Sequence, residues 1–210
     1  MRRTLVLSLL AAATIVAAQA HAADRTLNVA PFTAIDNTGP INVRIEVGKA
    51  QSVTASGSDL FLEQLQAEVV GNELHIKMRD KSGSHGLGDP KVVITLPQLT
   101  AFTMAGAGAT TITHMAGDNL DIRFGGAGSL RAEGSVKNLK LNVGGVGSID
   151  TRQLHADNVD VSVGGVGSVK VWASARLEGT VGGVGSLTYY GDPAIVNTNS
   201  GGIGSISRGK

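Results

Sequence analysis

The sequence predicts an all-β protein, a parallel β-helix (β-solenoid) with coils of about 19 residues, and two observations support this fold class. The first is a sequence motif, Gly-Gly-x-Gly-Ser, here called the glycine phrase, that recurs at a nearly fixed spacing. Its copies begin at Gly125, Gly144, Gly164, Gly182 and Gly201. Counted between second glycines, the steps are 19, 20, 18 and 19 residues, and a degenerate copy at 105–109 lies 20 residues upstream. Repeats this short cannot bury their own apolar face, so they stack on their neighbours as a solenoid.

The second observation is the pattern between the glycine phrases. Apolar and polar residues alternate at 120–123, 139–143 and 159–163, which is typical of half-buried strands. One further apolar residue follows each phrase. These residues are Leu130, Ile149, Val169, Leu187 and Ile206. Two or three short strands joined by tight turns are therefore expected in each coil.

Two other repeat architectures fit less well. Helical repeats need more than about thirty residues, and β-branched valines beside glycine pairs are poor helix formers. Leucine-rich repeats have coils of about twenty to thirty residues, but their leucine and asparagine frame is absent from this sequence. A parallel β-helix fits best.

The first 22 residues (1–22) predict a signal peptide that is cleaved. A basic segment at 1–3 precedes an apolar run at 5–18, and Ala20-His21-Ala22 supplies the small-x-small pattern of a signal-peptidase site. The mature chain is expected to begin at Ala23, but Ala18-Gln19-Ala20 also fits and leaves cleavage after Ala20 open. The apolar run is shorter than the roughly eighteen residues of a spanning helix, so the mature chain is expected to have no integral membrane segment. The prediction is an exported protein that is periplasmic, secreted or at the cell surface.

Residues 23–210 are predicted to form a single domain whose regular coils run from about 105 to 206. Three earlier strands are predicted from alternating residues, at 41–47, 74–78 and 92–96. Residues 59–70 are expected to hold a short helix or turn, and 80–90 is a loop rich in Gly, Ser and Asp. This half is a less regular N-terminal cap or the first coils, and a solenoid needs a cap because open strand edges template aggregation.

Two glycines in each copy of the phrase are predicted to form the corners of the coils. They are Gly126, Gly128, Gly145, Gly147, Gly165, Gly167, Gly183, Gly185, Gly202 and Gly204. Without a Cβ atom, glycine adopts positive φ or lets two backbones approach closely. A positive φ is expected at Gly145 and Gly165, so that valine at either position would disrupt folding.

The serine that ends each copy is predicted to stack on the serine of the next coil. This serine ladder comprises Ser129, Ser148, Ser168, Ser186 and Ser205. Two interpretations are open. In one, the hydroxyls hydrogen-bond to one another or to turn backbone and fix the corner. In the other, they form a polar stripe that faces a ligand or partner.

Composition excludes several partners. The formal net charge is +1 and only 17% of residues are charged, so no nucleic-acid partner is expected. A phosphate cradle needs a helix after its glycines, and no helical pattern follows any copy of the phrase.

The chain has no cysteine, so neither disulfides nor a lipoprotein anchor are expected. The histidines fall in different phases of the repeat, so no metal or other cofactor is predicted, and His85 with Asp89 is the one pair worth checking.

Catalysis is the alternative to binding. Parallel β-helices host polysaccharide lyases and hydrolases, which need clustered carboxylates or a basic residue beside a cation. If the coils stack in register, Asp150 lies beside Arg131 and Lys170, and Asp160 lies near Lys140. Opposite charges arranged in this way are expected to pair across coils. No catalytic residue is therefore predicted.

Several segments together carry a family resemblance. They are Phe32-x-x-Ile35, Gly39-Pro40-Ile41-Asn42-Val43, Leu74-x-Ile76, Val92-x-Ile94-x-Leu96-Pro97-x-Leu99 and the serial Gly-Gly-x-Gly-Ser corners. From about Phe32 to Arg208 the chain resembles the DUF2807 family, described as "putative auto-transporter adhesin head GIN domain". The resemblance implies a right-handed parallel β-helix in an exported bacterial protein, with no catalytic residues to carry over.

Two functional classes follow. In the favoured one, the protein is a non-catalytic exported scaffold, adhesin-like or envelope-associated, whose outer faces bind a protein, an envelope component or a cell surface. Trp172, Tyr189 and Tyr190 are the expected contact residues, and they are also consistent with packing at the end of the solenoid. In the alternative, the protein is a carbohydrate-active β-helix with a lyase-like or hydrolase-like activity. Self-association into a homo-oligomer is compatible with both.

Overall fold

The computed structural model describes residues 23–79 and 87–210, and strands dominate them. The first eight strands are β1 (Ala23–Thr26), β2 (Ala34–Asn37), β3 (Asn42–Val47), β4 (Ser52–Gly57), β5 (Leu65–Val70), β6 (Glu73–Met78), β7 (Lys91–Leu96) and β8 (Ala101–Met104), with helix α1 (Asp59–Gln64) between β4 and β5. The remaining strands are β9 (Ala107–Phe124), β10 (Ala127–Val143), β11 (Val146–Val163), β12 (Val166–Val181), β13 (Val184–Tyr190), β14 (Ile195–Ser200) and β15 (Ser205–Arg208). The predicted signal peptide with both cleavage sites, and His85, lie outside the described residues.

Strands β9 to β12 stack in parallel, each directly over the one before. The glycine phrases are in register, with Gly128 opposite Gly147 and Gly147 opposite Gly167. The chain completes about five turns in this way. The prediction of a parallel β-solenoid is confirmed.

Each regular coil is one long strand, which differs from the two or three short strands expected. Strands β9 to β12 have 16 to 18 residues each, and the pairs Gly125-Gly126, Gly144-Gly145 and Gly164-Gly165 lie between them. Register shifts mark irregularities within the stack, such as the one between Arg131 and Glu133. A bulge bends a strand while pairing continues on both sides of it, so the coil turns without ending the strand.

The core consists of aliphatic side chains stacked from coil to coil. One such column contains Leu120, Leu139, Val159 and Leu177, and all four are buried. Each fully buried side chain of this kind stabilises the fold by about 1.5–3 kcal/mol relative to leaving it exposed. The inward residues of the alternating pattern therefore supply the stability, as a solenoid without disulfides requires.

The N-terminal coils do not stack in chain order. Strand β3 lies between β7 and β9, and β2 lies between β6 and β8. The coil made of β6 and β7 is therefore outermost, although the coil made of β2 and β3 comes first in the sequence. Apolar alternation cannot reveal this order, because it marks which residues face inward and not which coil each strand meets.

Antiparallel strands close this end of the solenoid. Strand β4 pairs with β7, β5 pairs with β6, and β1 pairs with β4, all antiparallel. Helix α1 confirms the short helix expected within 59–70. It begins where the Ser58 hydroxyl accepts a hydrogen bond from the Phe61 N–H at 3.2 Å, and it buries Phe61. Among the described residues, none of the helices has the length and apolar character needed to cross a membrane.

Candidate binding face

One face of the solenoid displays a column of exposed aliphatic side chains, which we call the valine column. It consists of Ala107, Ala127, Val146, Val166 and Val184, paired in register from β9 to β13. Val146 is 58% exposed and Val166 49%. Ile203 occupies the same position of the phrase in the last coil and is 82% exposed. Scattered exposed aliphatic residues are ordinary on a protein surface, but a contiguous row is typical of an interaction site.

A second column runs beside the first, two residues along each strand. It is the predicted serine ladder, and the strand register aligns it from Ser129 through Ser148, Ser168 and Ser186 to Ser205. The two columns flank the glycines Gly128, Gly147 and Gly167, and their side chains are exposed or half-buried. Across the described residues, none of the five hydroxyls makes a hydrogen bond within the chain, which leaves their hydrogen-bonding capacity to solvent or a partner.

The glycines between these columns allow the coils to approach closely. A Cβ atom built on Gly145 would lie 2.0 Å from the carbonyl oxygen of Gly126, and one on Gly165 would lie 2.0 Å from that of Gly145. All ten predicted corner glycines show such a contact, at 1.8 to 2.4 Å. The expectation of a positive φ at Gly145 and Gly165 is wrong, since neither has a left-handed φ. Close backbone approach is the reason for glycine there, whereas Gly128 combines that approach with a φ of 139°.

Aromatic rings form a third column, in the C-terminal half of the solenoid. His155, Trp172 and Tyr190 are opposite one another on three successive coils, and the rings of His155 and Trp172 stack with centroids 4.3 Å apart. We call this set the ring column. Of the three expected contact residues, Trp172 and Tyr190 are opposite one another on neighbouring coils, whereas Tyr189 alternates to the other side of the strand and packs against the core. Sequence spacing does not reveal His155, because a bulge in β11, and not the repeat period, aligns it with Trp172.

Arg152 is held beside the ring column by an ion pair. Its Nε donates to Asp150 Oδ1 at 2.9 Å and its Nη2 donates to Asp150 Oδ2 at 2.7 Å, while its guanidinium carbon lies 5.5 Å from the centre of the Tyr190 ring. These hydrogen bonds hold the pKa of the Asp150 carboxyl below its ordinary value. Asp150 is aligned with Arg131 and Lys170 as expected, yet its closest ion pair is with a residue on its own strand. A recess of about 780 Å³ lies between Arg152, Trp172, Tyr190 and the last residues of the chain.

A shallow groove of about 340 Å³ lies on another part of the coils. One side of the groove is lined by an asparagine ladder. In it, Asn138 Nδ2 donates to Asn119 Oδ1 and Asn158 Nδ2 donates to Asn138 Oδ1, both at 2.9 Å. This ladder was not predicted from the sequence, although the steps of 19 and 20 residues between its members could have revealed it.

The opposite side of the groove is lined by side chains of both charges. Asp160 is aligned with Lys140 on one side and Glu178 on the other, and Glu178 forms an ion pair with Arg176. A glycosidase needs two carboxylates placed for acid and base or nucleophile roles. In the described part of the chain, no three His, Asp or Glu side chains form a metal-ligand set. The groove therefore offers a row of polar and charged side chains.

Fold and surface together define a parallel β-solenoid whose exposed faces repeat the same side chains from coil to coil. The profile of the DUF2807 family, described as "Putative auto-transporter adhesin, head GIN domain", matches residues 31–193. The chain belongs to this family, which confirms the resemblance seen in the sequence.

Several solved structures are similar to this chain. A crystal structure of a putative adhesin from Bacteroides fragilis has 27% sequence identity and a TM-score of 0.73, over 90% of this chain and 98% of that one. A putative adhesin from Parabacteroides distasonis has 18% identity and a TM-score of 0.49, over 90% and 97%. A putative lipid binding protein from the same species has 20% identity and a TM-score of 0.47, over 91% and 98%. No curated protein matches the chain.

Proposed function

We propose that the protein is a non-catalytic, exported binding scaffold that uses the valine, serine and ring columns to hold another macromolecular surface. The observation that carries this proposal is the valine column, a row of exposed aliphatic side chains in register on successive coils. The partner is a protein, an envelope component or a cell surface, with the scaffold either in the periplasm or outside the cell.

The chemistry of the face suits adhesion. Covering the valine column removes apolar area from water, worth roughly 25 cal/mol per Å². The neighbouring serine hydroxyls supply hydrogen bonds that orient the partner, and they have no competing partner among the described residues. Trp172 and Tyr190 add aromatic side chains of the kind enriched at interfaces. Because the columns stand on a stacked sheet, little backbone entropy is lost on binding.

The comparisons support the same class of function. The family description and the Bacteroides fragilis structure both carry the word adhesin, and neither carries an enzymatic name. Export rests on the predicted signal peptide at 1–22, and a family of adhesins fits a location outside the cytoplasm. An adhesin-like scaffold needs a repeated, rigid and exposed surface, and the three columns supply one.

Adding charge to the valine column tests the proposal. Beads coated with the protein are retained under flow on envelope fractions or cell monolayers, and we expect the Val166→Lys, Val184→Lys double variant to lose about 90% of this retention, because burying two unpaired ammonium groups is unfavourable. The matched control is Ser162→Lys with Thr180→Lys, which adds the same charge at exposed positions outside the three columns. Both variants are compared with the parent in thermal unfolding.

Equal retention of the parent and the valine-column variant would contradict the proposal, as would parent beads that are retained no better than albumin-coated beads. Loss of retention in the control variant as well would show that net charge, and not this face, governs adhesion.

A further inference from the structure

The C-terminal end of the solenoid is built differently from its N-terminal end. Within the described chain, β14 pairs only with β12 and β15 pairs only with β13, so each has a free edge of backbone N–H and C=O groups. Such edges recruit further strands unless they are blunted. At the other end, the strands turn antiparallel, and the outermost ones carry charges, Asp24 and Arg25 in β1 and Glu68 in β5.

Strand β14 lacks these protective features. Its sequence is Ile-Val-Asn-Thr-Asn-Ser, all six residues are exposed, and it contains no charge and no proline. Val196 continues the buried column that runs through Val159 and Leu177, but it is 41% exposed because no further described coil covers it. Ile195 is 47% exposed beside it. The free edge and the open end of the apolar core therefore coincide.

We infer that this end is an interface for a second copy of the chain, joined tail to tail. When two identical ends meet about a two-fold axis, residues on the axis face their own copies, so a charge there meets a like charge. The neutral edge of β14 meets this requirement at the axis, whereas β1 and β5 carry charges. The one charge of the neighbouring strand β15, Arg208, is paired with Asp192. The two-fold axis makes the two β14 strands antiparallel, so their free N–H and C=O groups pair with one another.

This arrangement does not depend on the proposed binding face. The two β14 edges meet at the end of the solenoid, whereas the valine column runs along its side. A tail-to-tail dimer has twice as many columns as the single chain, and this raises avidity for a repeated partner. The failure of either proposal leaves the other standing.

Sedimentation over a concentration series tests the inference on the chain expressed with its own N-terminal segment and purified. We expect a monomer–dimer equilibrium that Asn197→Lys with Asn199→Lys weakens by at least about tenfold, since like charges then face each other across the axis. The control is Asn142→Lys with Ser162→Lys, which adds two lysines to the column that ends in Asn199 but lies in inner coils, and it should dimerise as the parent does. Thermal unfolding checks that each variant is folded.

Cysteine cross-linking identifies the interface independently, because the chain has no cysteine of its own. Opposed residues of an antiparallel pair have Cα atoms about 4.5–5.5 Å apart, within reach of a disulfide. A single cysteine moved through Val196, Asn197, Thr198 and Asn199 should give a covalent dimer at the position nearest the axis, and Glu68→Cys should not. A parent that remains monomeric at all concentrations would overturn the inference, and so would a dimer that cross-links through Glu68→Cys or that both lysine variants leave intact.

Discussion

Replacing Gly145 with alanine is expected to prevent the chain from reaching its folded state. The added Cβ would lie 2.0 Å from the carbonyl oxygen of Gly126, and two further backbone atoms of the preceding coil lie within 2.9 Å. Backbone atoms in a stacked sheet cannot move aside as a flexible side chain can, so the coils would have to separate at this corner. We expect a loss of about 4 kcal/mol or more in the free energy of unfolding, seen as insoluble protein or as a cooperative transition at much lower denaturant.

The first glycine of the same phrase supplies the control. A Cβ built on Gly144 meets no atom within 4 Å, and this residue has no left-handed φ. Gly144→Ala should therefore unfold within about 1 kcal/mol of the parent, since alanine at a compatible position mainly restricts the unfolded chain. If Gly145→Ala unfolded at the same denaturant concentration as Gly144→Ala, the close stacking of the corners would be disproved.

Truncating Phe124 is expected to cause the second largest loss of stability. Phe124 is 1% exposed, and the register places it between Met104 and Val143 at the junction of the irregular and regular coils. Phe124→Ala removes most of a buried ring and leaves a cavity that a close-packed stack fills poorly, for a cost of about 3–5 kcal/mol. For a chain of this length, we expect the melting temperature to fall by about 10 °C.

Ser162→Ala is the matched control for this truncation. Ser162 is exposed on β11, next to Val163 of the column that contains Phe124, so its hydroxyl contributes no core packing. Its melting temperature should stay close to that of the parent, because surface substitutions change stability by about 0.5 kcal/mol or less. A Phe124→Ala protein that melts with the control would mean that the ring is not in the core.

The regular coils are predictable from the sequence. The fixed step between glycine phrases places Ser129, Ser148 and Ser168 in one column, and the alternation at 139–143 marks the inward residues correctly. These predictions succeed because a repeat has to stack on its copy, so sequence period and spatial register are the same quantity.

The features that were not predicted from the sequence depend on contacts outside the repeat. The position of β3 between β7 and β9 is set by where the chain returns after β4 and β5, and no periodic signal encodes that path. The valine column consists of the variable residue of each glycine phrase. A residue between two glycines is typical of a turn, so its place in the sequence does not by itself indicate an exposed binding surface. His155 reaches Trp172 through a bulge, which breaks the period that prediction relies on.

The most direct test of the binding face measures whether it is covered in the cell. Val166→Cys and Thr180→Cys each introduce the only thiol of the chain, the first in the valine column and the second at an exposed site outside it. A small membrane-permeant thiol reagent is added to cells of the source organism, and the rates of labelling are compared with those of the purified proteins. We expect labelling at residue 166 to be at least about tenfold slower in cells, with residue 180 unchanged. Equal rates at residue 166 in cells and in solution would contradict the proposal that this face holds a partner.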